Sequence, residues 1–376
     1  MPGALRRPGL WHGSGVGEEL FECRDDGRCL GGTTRLREQL DAWPRWPAVS
    51  VSCARHREES NLTAMGDVAI FDAEAVLRAV APPDAIARTR DAFERHARGE
   101  WEMPAKVYVE APPAGDFRAM PARGAGIASL KWVTSFPHNP ERGLPVVAGA
   151  LLVSSAETGE LLAIMDCAAI TSLRTGAAAA VSAQLLAAPA AREAGIIGCG
   201  VNGAWAARCL AAAGYDDGIC FDPRPEAAST LASELGWRTG TREEAVAADV
   251  VVTVTPAESV VVSGDDMRPG QHFAALGADA HGKGEIEPGA LARVRLFCDE
   301  WEQASKGGEL STAVAAGIVG RDAVTEIGAV LLGEAEGRRS AAEITLFDST
   351  GLAIQDLAIA RAVLDAGAGD APTISL

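Results

Sequence analysis

A glycine-rich turn with the spacing GxGxxG, Gly198-Cys199-Gly200-Val201-Asn202-Gly203, lies near the middle of the 376-residue chain. It follows a short apolar segment, 194–197, and opens a segment typical of a helix. In this context the first glycine permits a tight turn, the second lets a pyrophosphate approach the backbone, and the third lets the helix pack on the strand. The pattern predicts a dinucleotide site at the helix start. The alternative is a glycine-rich turn that holds no ligand.

An acidic residue, Asp222, follows about 20 residues later at the end of a second short apolar segment. A carboxylate there can bond both ribose hydroxyls, which favours NAD. Arg224 lies two residues further on and could instead accept the 2′-phosphate of NADP. The alternative for Asp222 is a turn residue before Pro223. The sequence favours NAD weakly and leaves NADP open.

Three cations and one acid could act on a small anionic substrate. Arg118 and Lys131 stand between apolar neighbours in predicted strands, where a cation is costly to bury unless it meets an anion. Arg174, at the predicted start of an Ala-rich helix, has a fork suited to a carboxylate. Asp279 follows an apolar strand, where an acid could accept a proton beside a nicotinamide. For each, the alternative is a solvated side chain; His281 and Lys283 are weaker candidates in the same loop.

Composition narrows the class of protein. Lys and Arg total 34 against 51 Asp and Glu, so the net charge of −17 disfavours nucleic acid and anionic membranes as partners. The eight cysteines form no CxxC pair, so we expect no metal site and free thiols in a reducing compartment. No apolar run reaches about 18 residues, the length expected of a membrane span. These features predict a cytoplasmic protein.

The chain predicts an α/β fold with two domains after an unusual first segment. Residues 1–65 are read as a disordered extension or as sequence upstream of a start at Met65, and no chemistry is assigned to them. Closely spaced strands within 66–184 predict an antiparallel or mixed sheet, and 321–376, with a helix from Asp348 to Leu364, is expected to complete this α+β domain. Alternating strands and helices over 185–320 predict a Rossmann-type doubly wound parallel sheet.

Several strings in order resemble the ornithine cyclodeaminase/mu-crystallin family over about 68–368. They include Phe117-Arg118-Ala119-Met120-Pro121, Thr171-Ser172-Leu173-Arg174-Thr175-Gly176, Gly277-Ala278-Asp279 and Phe347-Asp348-Ser349-Thr350-Gly351. The resemblance implies a homodimer that binds NAD or NADP and a small amino or imino acid. It implies Arg118, Lys131 and Arg174 as substrate-binding residues, Asp279 and Lys131 as catalytic residues, and Thr175 as a further cofactor-binding residue. In place of His281 the family commonly has proline.

Within the family, the sequence is most similar to those of archaeal-type alanine dehydrogenases. Ornithine cyclodeaminases carry an acid where Arg118 stands and an arginine where Lys106 stands, and Arg118 would repel a second substrate ammonium. The resemblance therefore implies an NAD(P)-dependent oxidoreductase of the CH–NH₂ or C=N group of a small L-amino or imino acid. The alternatives are an ornithine cyclodeaminase, a cyclic ketimine reductase, or a binder that keeps NADPH without catalysis.

Overall fold

The computed structural model describes residues 66–376 except 257, 258, 281, 368 and 370, and the predicted extension 1–65 lies outside them. The described residues belong to one unit, Leu62–Leu376. The strands are β1 Val68–Phe71, β2 Val107–Ala111, β3 Gly115–Gly124, β4 Ile127–Ser135, β5 Val147–Ser155, β6 Leu161–Asp166, β7 Glu193–Ile197, β8 Asp217–Phe221, β9 Arg238–Thr239, β10 Val250–Thr253, β11 His272–Ala275, β12 Arg295–Cys298, β13 Val324–Glu326, β14 Thr345–Asp348 and β15 Thr373–Ile374. The α-helices are α1 Ala73–Ala79, α2 Pro82–Ala97, α3 Cys167–Leu186, α4 Val201–Ala212, α5 Pro225–Leu235, α6 Arg242–Val246, α7 Trp301–Gly307, α8 Ser311–Ala315, α9 Ile327–Leu331 and α10 Ala353–Ala366.

The first sheet has seven strands in the order β15-β1-β6-β5-β4-β3-β2. Strand β1 runs parallel to β6 and every other described pair is antiparallel, as expected of a mixed sheet. Helices α2, α3 and α10 pack together beside this sheet. The α+β half of the predicted fold class is confirmed.

Helix α3 is longer than predicted, and this changes the setting of Arg174. The Asp166 side chain accepts the Ala169 N–H at 2.7 Å and caps the helix, so α3 begins at Cys167. Arg174 therefore lies inside α3, not at its start. Its neighbour Gly176 lies against the backbone of Trp205 in α4, where a β-carbon would collide with the Trp205 carbonyl oxygen.

The second sheet has eight parallel strands in the order β13-β12-β14-β11-β10-β7-β8-β9. Consecutive residues of its strands face opposite sides: Ile196 and Val252 belong to one buried cluster, Ile197 and Val251 to the other. Both faces are thus covered, and the predicted doubly wound parallel sheet is confirmed. Strand order reverses between β7 and β10, the place where such sheets bind ligands.

The C-terminal segment differs in two respects from its prediction. Strands β13 and β14 pair with β12 in the second sheet, whereas 321–376 was grouped with the first domain. Asp348 ends β14 and caps no helix; α10 begins at Ala353, after Leu352, whose N–H donates to Gln355 Oε1 at 2.7 Å. Both differences have one cause: Thr345–Asp348 is a completely buried strand that pairs with two parallel neighbours, so this segment belongs to the second sheet and cannot be the start of a helix. In the described part of the chain no helix has the length and apolarity to cross a membrane.

Candidate functional site

The glycine-rich turn follows β7 directly. Gly198 adopts φ +99°, a conformation that favours glycine. A β-carbon at Gly203 would collide with the Gly198 carbonyl oxygen, so the third glycine permits the helix to approach the strand end. Both observations support the roles predicted for these glycines.

The start of α4 suits a pyrophosphate. Gly200 precedes the helix, and the first-turn N–H groups of Val201, Asn202 and Gly203 have no acceptor one turn earlier. Val201 is 67% exposed, and among the described residues a β-carbon at Gly200 would approach only the Arg224 guanidinium, at 3.9 Å. An anion can therefore reach amides that point toward it, and the residues fit a dinucleotide.

Asp222 is buried beside this turn and is tied to it. Its carboxylate accepts the Cys199 N–H at 2.8 Å, the Arg224 N–H at 2.9 Å and the Arg224 side-chain Nε at 3.0 Å. Burial would raise the pKa of Asp222, but the hydrogen bonds from Arg224 and Cys199 outweigh it and lower the pKa. Asp222 is thus a carboxylate, and the exposed Arg224 guanidinium covers it.

Thr175 is also buried, in the interior of α3. Its Oγ1 has no hydrogen-bond partner among the described residues. It precedes Gly176, which contacts the helix that the glycine turn opens. A buried hydroxyl without a protein partner is suited to a ligand group, and this supports the predicted role of Thr175.

Lys131 and Arg174 share one internal carboxylate. Lys131 Nζ lies 2.7 Å from Asp356 Oδ2, and Arg174 Nε lies 3.4 Å from Asp356 Oδ1. Lys131 also donates to Thr171 Oγ1 at 3.3 Å. The anion that buried cations are predicted to need is supplied here by Asp356 of α10, and the Lys131 and Arg174 side chains are both largely buried. Asp356 was not predicted as a site residue; its one local signal is a carboxylate next to Leu357 in an otherwise mostly apolar helix.

Arg118 joins the first sheet to the loop after β11. Its Nη1 lies 2.5 Å from Asp279 Oδ2 and its Nε lies 2.6 Å from Asp116 Oδ1. Lys283 Nζ holds the other Asp279 oxygen at 2.7 Å. Desolvation would raise the pKa of Asp279, but the charges of Arg118 and Lys283 outweigh it and hold the pKa well below its usual range. His281, in the same loop, lies outside the described residues.

Lys106 is a further cation that sequence reasoning did not assign to the site. Its Nζ donates to the Thr350 carbonyl at 2.8 Å. Burial lowers its pKa to about 8, opposed by the nearby carboxylates Asp299 and Asp279. A lysine that precedes the exposed strand β2 gives no local signal of a buried setting. Its position in the site is evident only from its contact with Thr350 in the folded chain.

These groups form one charged cluster. Lys106 interacts electrostatically with Asp299, Asp279, Arg174 and Arg118, and Arg174 with Lys131. The cluster is defined here as the cations Lys106, Arg118, Lys131, Arg174 and Lys283 with the carboxylates Asp116, Asp279, Asp299 and Asp356. The structure thus brings together the predicted residues Arg118, Lys131, Arg174 and Asp279.

Fold and site define a two-sheet protein with a dinucleotide-type turn and a cluster of cations around one loop carboxylate. The chain belongs to the ornithine cyclodeaminase/mu-crystallin family, which it matches over residues 69–370. The predicted family is confirmed, and the chain is an enzyme of this family.

Known relatives are similar over most of the chain. Alanine dehydrogenase of Archaeoglobus fulgidus is 41% identical over 304 residues, 79% of this chain and 94% of the relative. Iminosuccinate reductase of Paracoccus denitrificans is 36% identical over 64% of this chain and 77% of the relative. The solved structure of an archaeal alanine dehydrogenase dimer with bound NAD superposes with a TM-score of 0.79 at 39% identity, covering 82% of this chain and 99% of that one. The predicted similarity to archaeal-type alanine dehydrogenases is confirmed.

Proposed function

We propose that the chain is an NAD-dependent oxidoreductase that converts a small L-amino acid and water to the 2-oxo acid and ammonia, reversibly. The observation that carries the proposal is the Arg118–Asp279 pair, which joins a cation for the substrate carboxylate to an acid at the carboxyl edge of the dinucleotide-type sheet. The relatives named alanine dehydrogenase, one of them with bound NAD, support it.

The charge of the cluster favours a monocarboxylate. The cluster holds five cations and four carboxylates, so it carries one positive charge in excess when all nine members are ionised. An amino acid with a neutral amine and an uncharged side chain carries one negative charge and balances it. A diamine would add positive charge next to Arg118, and a dicarboxylate would overshoot.

The chain's own groups then divide the chemistry. Arg118, Lys131 and Arg174 orient the substrate carboxylate, and Thr175, the glycine turn and Asp222 hold the dinucleotide. When bound, the nicotinamide accepts or returns a hydride. Asp279 accepts the proton that a water molecule gives up as it attacks the imine carbon. A substrate carboxylate that shares Arg118 weakens its hold on Asp279, which raises the pKa of Asp279 toward the usual range and makes it a better base.

The decisive experiment is a substrate panel with each cofactor. Pyruvate with ammonia and L-alanine are expected to change the reduced-cofactor absorbance, with NADH preferred over NADPH. L-ornithine, oxaloacetate with ammonia and Δ1-pyrroline-2-carboxylate serve as alternatives. Release of ammonia from ornithine without net cofactor reduction would assign a cyclodeaminase instead, and no turnover with any substrate would reject the proposal.

We also propose that two copies associate through the open face of the first sheet. Val107, Val109, Leu130 and Trp132 are exposed on β2 and β4, and Trp132 stacks on Phe117 with ring centroids 5.6 Å apart. A contiguous apolar face of this kind marks an interaction surface. The similar archaeal alanine dehydrogenase is a dimer, and this supports a second copy as the partner.

A further inference from the structure

The loop that carries Asp279 is closed by a buried glutamate, Glu285. Glu285 Oε2 accepts the Gly277 N–H at 2.8 Å and the Thr253 hydroxyl at 2.8 Å, while Oε1 accepts the Thr255 N–H at 2.7 Å. One carboxylate thus joins the ends of the neighbouring strands β10 and β11. Asp279 lies two residues after Gly277, so its backbone starts from this fixed point.

A second glutamate, Glu309, holds the other end of the loop. It accepts the Glu285 N–H at 2.9 and 3.0 Å and the Ile286 N–H at 2.7 Å. Both glutamates are almost completely buried. Burial is the main reason why the pKa of each is raised, that of Glu309 to about 8.

The backbone at Gly277 is tightly packed against Glu285. A β-carbon at Gly277 would collide with the Glu285 carboxyl group and with the Thr255 carbonyl oxygen. Two adjacent buried carboxyl groups are costly to maintain, and apolar side chains of the same volume would stabilise a core better. The hydrogen bonds that both glutamates accept come from backbone N–H groups and the hydroxyl at the two ends of this loop, which points to a role in placing the residues that the loop carries.

We propose that Glu285, supported by Glu309, is a positioning residue that sets Asp279 against Arg118 for the reaction; this rests on the proposed function. Glu285 is completely buried and acts through the Gly277 N–H. A fixed loop keeps the Asp279 carboxylate within bonding distance of both Arg118 and Lys283. A displacement of about 1 Å from this geometry would lower the reaction rate by about a hundredfold.

The test compares Glu285→Gln with Glu287→Gln. Glu287 lies two residues away and also accepts a backbone N–H, that of Gly264 at 2.7 Å, outside the loop that carries Asp279. Glutamine at 285 keeps the size but turns a donor toward N–H groups. We expect kcat to fall at least tenfold, the Kd of NADH to change less than threefold, and amide exchange over 276–286 to quicken at least tenfold. Glu287→Gln should leave all three unchanged.

Each result bears on one proposal. If kcat and loop exchange in Glu285→Gln equal those of the wild type, positioning is refuted; so is a rise in substrate KM at unchanged kcat. If Glu285→Gln does not fold, Glu309→Gln is measured in the same way and must show the same quickened exchange. If the wild type itself turns over no substrate, the proposed function fails, while exchange over 276–286 still decides whether Glu285 holds the loop.

Discussion

Asp356 of α10 holds Lys131 of β4 in an ion pair of 2.7 Å, and each side chain is 1% exposed. Burial lowers the pKa of Lys131, and the Asp356 charge opposes that change. Asp356 therefore favours the protonated form of Lys131 against the effect of burial. Since Asp356 also lies 3.4 Å from Arg174, one carboxylate fixes the positions of two of the three cations assigned to substrate binding.

Replacement of Asp356 by asparagine should destabilise the protein strongly. It leaves two buried cations without their carboxylate, for which a loss of about 3–5 kcal/mol in the free energy of unfolding is expected. Urea denaturation measures this. The control is Asp365→Asn on the same helix, where a part-exposed pair with Arg361 is worth about 1 kcal/mol or less. Equal effects at the two positions would contradict the preset role of Asp356.

Replacement of Asp279 by asparagine should remove catalysis and spare the cofactor. General-base catalysis contributes about 10²–10⁴-fold, so kcat should fall by that factor while the Kd of NADH stays within threefold. The matched control is Asp116→Asn, because Asp116 also pairs with Arg118 but lies on β3, away from the loop after β11. A larger loss of kcat in Asp116→Asn than in Asp279→Asn would move the base elsewhere.

Binding of a 2-oxo acid should weaken above pH 8. Burial lowers the pKa of Lys106 to about 8 from its ordinary 10.5, so its positive charge is lost as the pH rises through that value. The substrate carboxylate does not titrate in this range, but the pKa of Glu309 is also raised to about 8, so the Kd of pyruvate in the presence of NADH is compared between the wild type and Lys106→Met. Lys106→Met should bind weakly and lose the part of the pH dependence near 8 that Lys106 causes, whereas the exposed Lys306→Met should match the wild type.

The lowered pKa of Lys106 should raise protein stability as the pH increases, whereas it weakens substrate binding. Between about pH 8 and 10.5 the unfolded chain binds more protons at Lys106 than the folded chain. The contribution of Lys106 to the free energy of unfolding therefore rises with pH in this window. Thermal unfolding of Lys106→Met should lack that rise, and a wild-type contribution that falls over the window would show that Lys106 is not desolvated.

Asp222 and Arg224 should set the cofactor preference in opposite directions. Asp222→Ala removes the acceptor for the ribose hydroxyls and should weaken NADH at least tenfold. Arg224→Ala removes an exposed guanidinium and should weaken NADPH more than NADH. The ratio of the two Kd values is the measurement, because Asp222→Ala also frees the Cys199 N–H and affects both cofactors. An unchanged ratio in both variants would locate cofactor selection elsewhere.

A charge on the open sheet face should separate the two copies. Trp132 is 43% exposed at the centre of this face, so Trp132→Asp places an unpaired carboxylate in an apolar interface. Light scattering after size exclusion should report a dimer for the wild type and a monomer for the variant. Lys306→Asp, at an exposed position of α7 beyond the second sheet, is the control that should stay dimeric. A wild-type monomer at micromolar concentration would refute the association.

Local patterns in the sequence predicted the two sheets and the glycine turn correctly. Alternation in β3 and β4 and the GxGxxG spacing are read within a dozen residues, so no distant contact is needed. The resemblance located Arg118 and Asp279, which the structure brings within 2.5 Å. Periodicity alone could not have paired them, because Arg118 lies in the first sheet and Asp279 in a loop that follows a strand of the second.

The missed features depend on distant packing. Lys106 follows the mostly apolar segment 101–105, and its bond to the Thr350 carbonyl joins residues 244 positions apart, which no local pattern predicts. The helix predicted from Asp348 contains Asp356, but only the fold places this carboxylate against Lys131 and Arg174. The membership of β14 in the second sheet follows from its two parallel neighbours, β11 and β12, and not from its own composition.

The place of β14 also constrains synthesis on the ribosome. Residues 345–348 lie between β11 and β12, so a nascent chain can pair β7, β8, β10 and β11 early but leaves β12 and β13 without a connection to them. Until residue 348 emerges, the facing edges of β11 and β12 expose unpaired backbone groups, which are sites of misassociation. Nascent chains that end before residue 345 should therefore need chaperone protection that the complete chain does not.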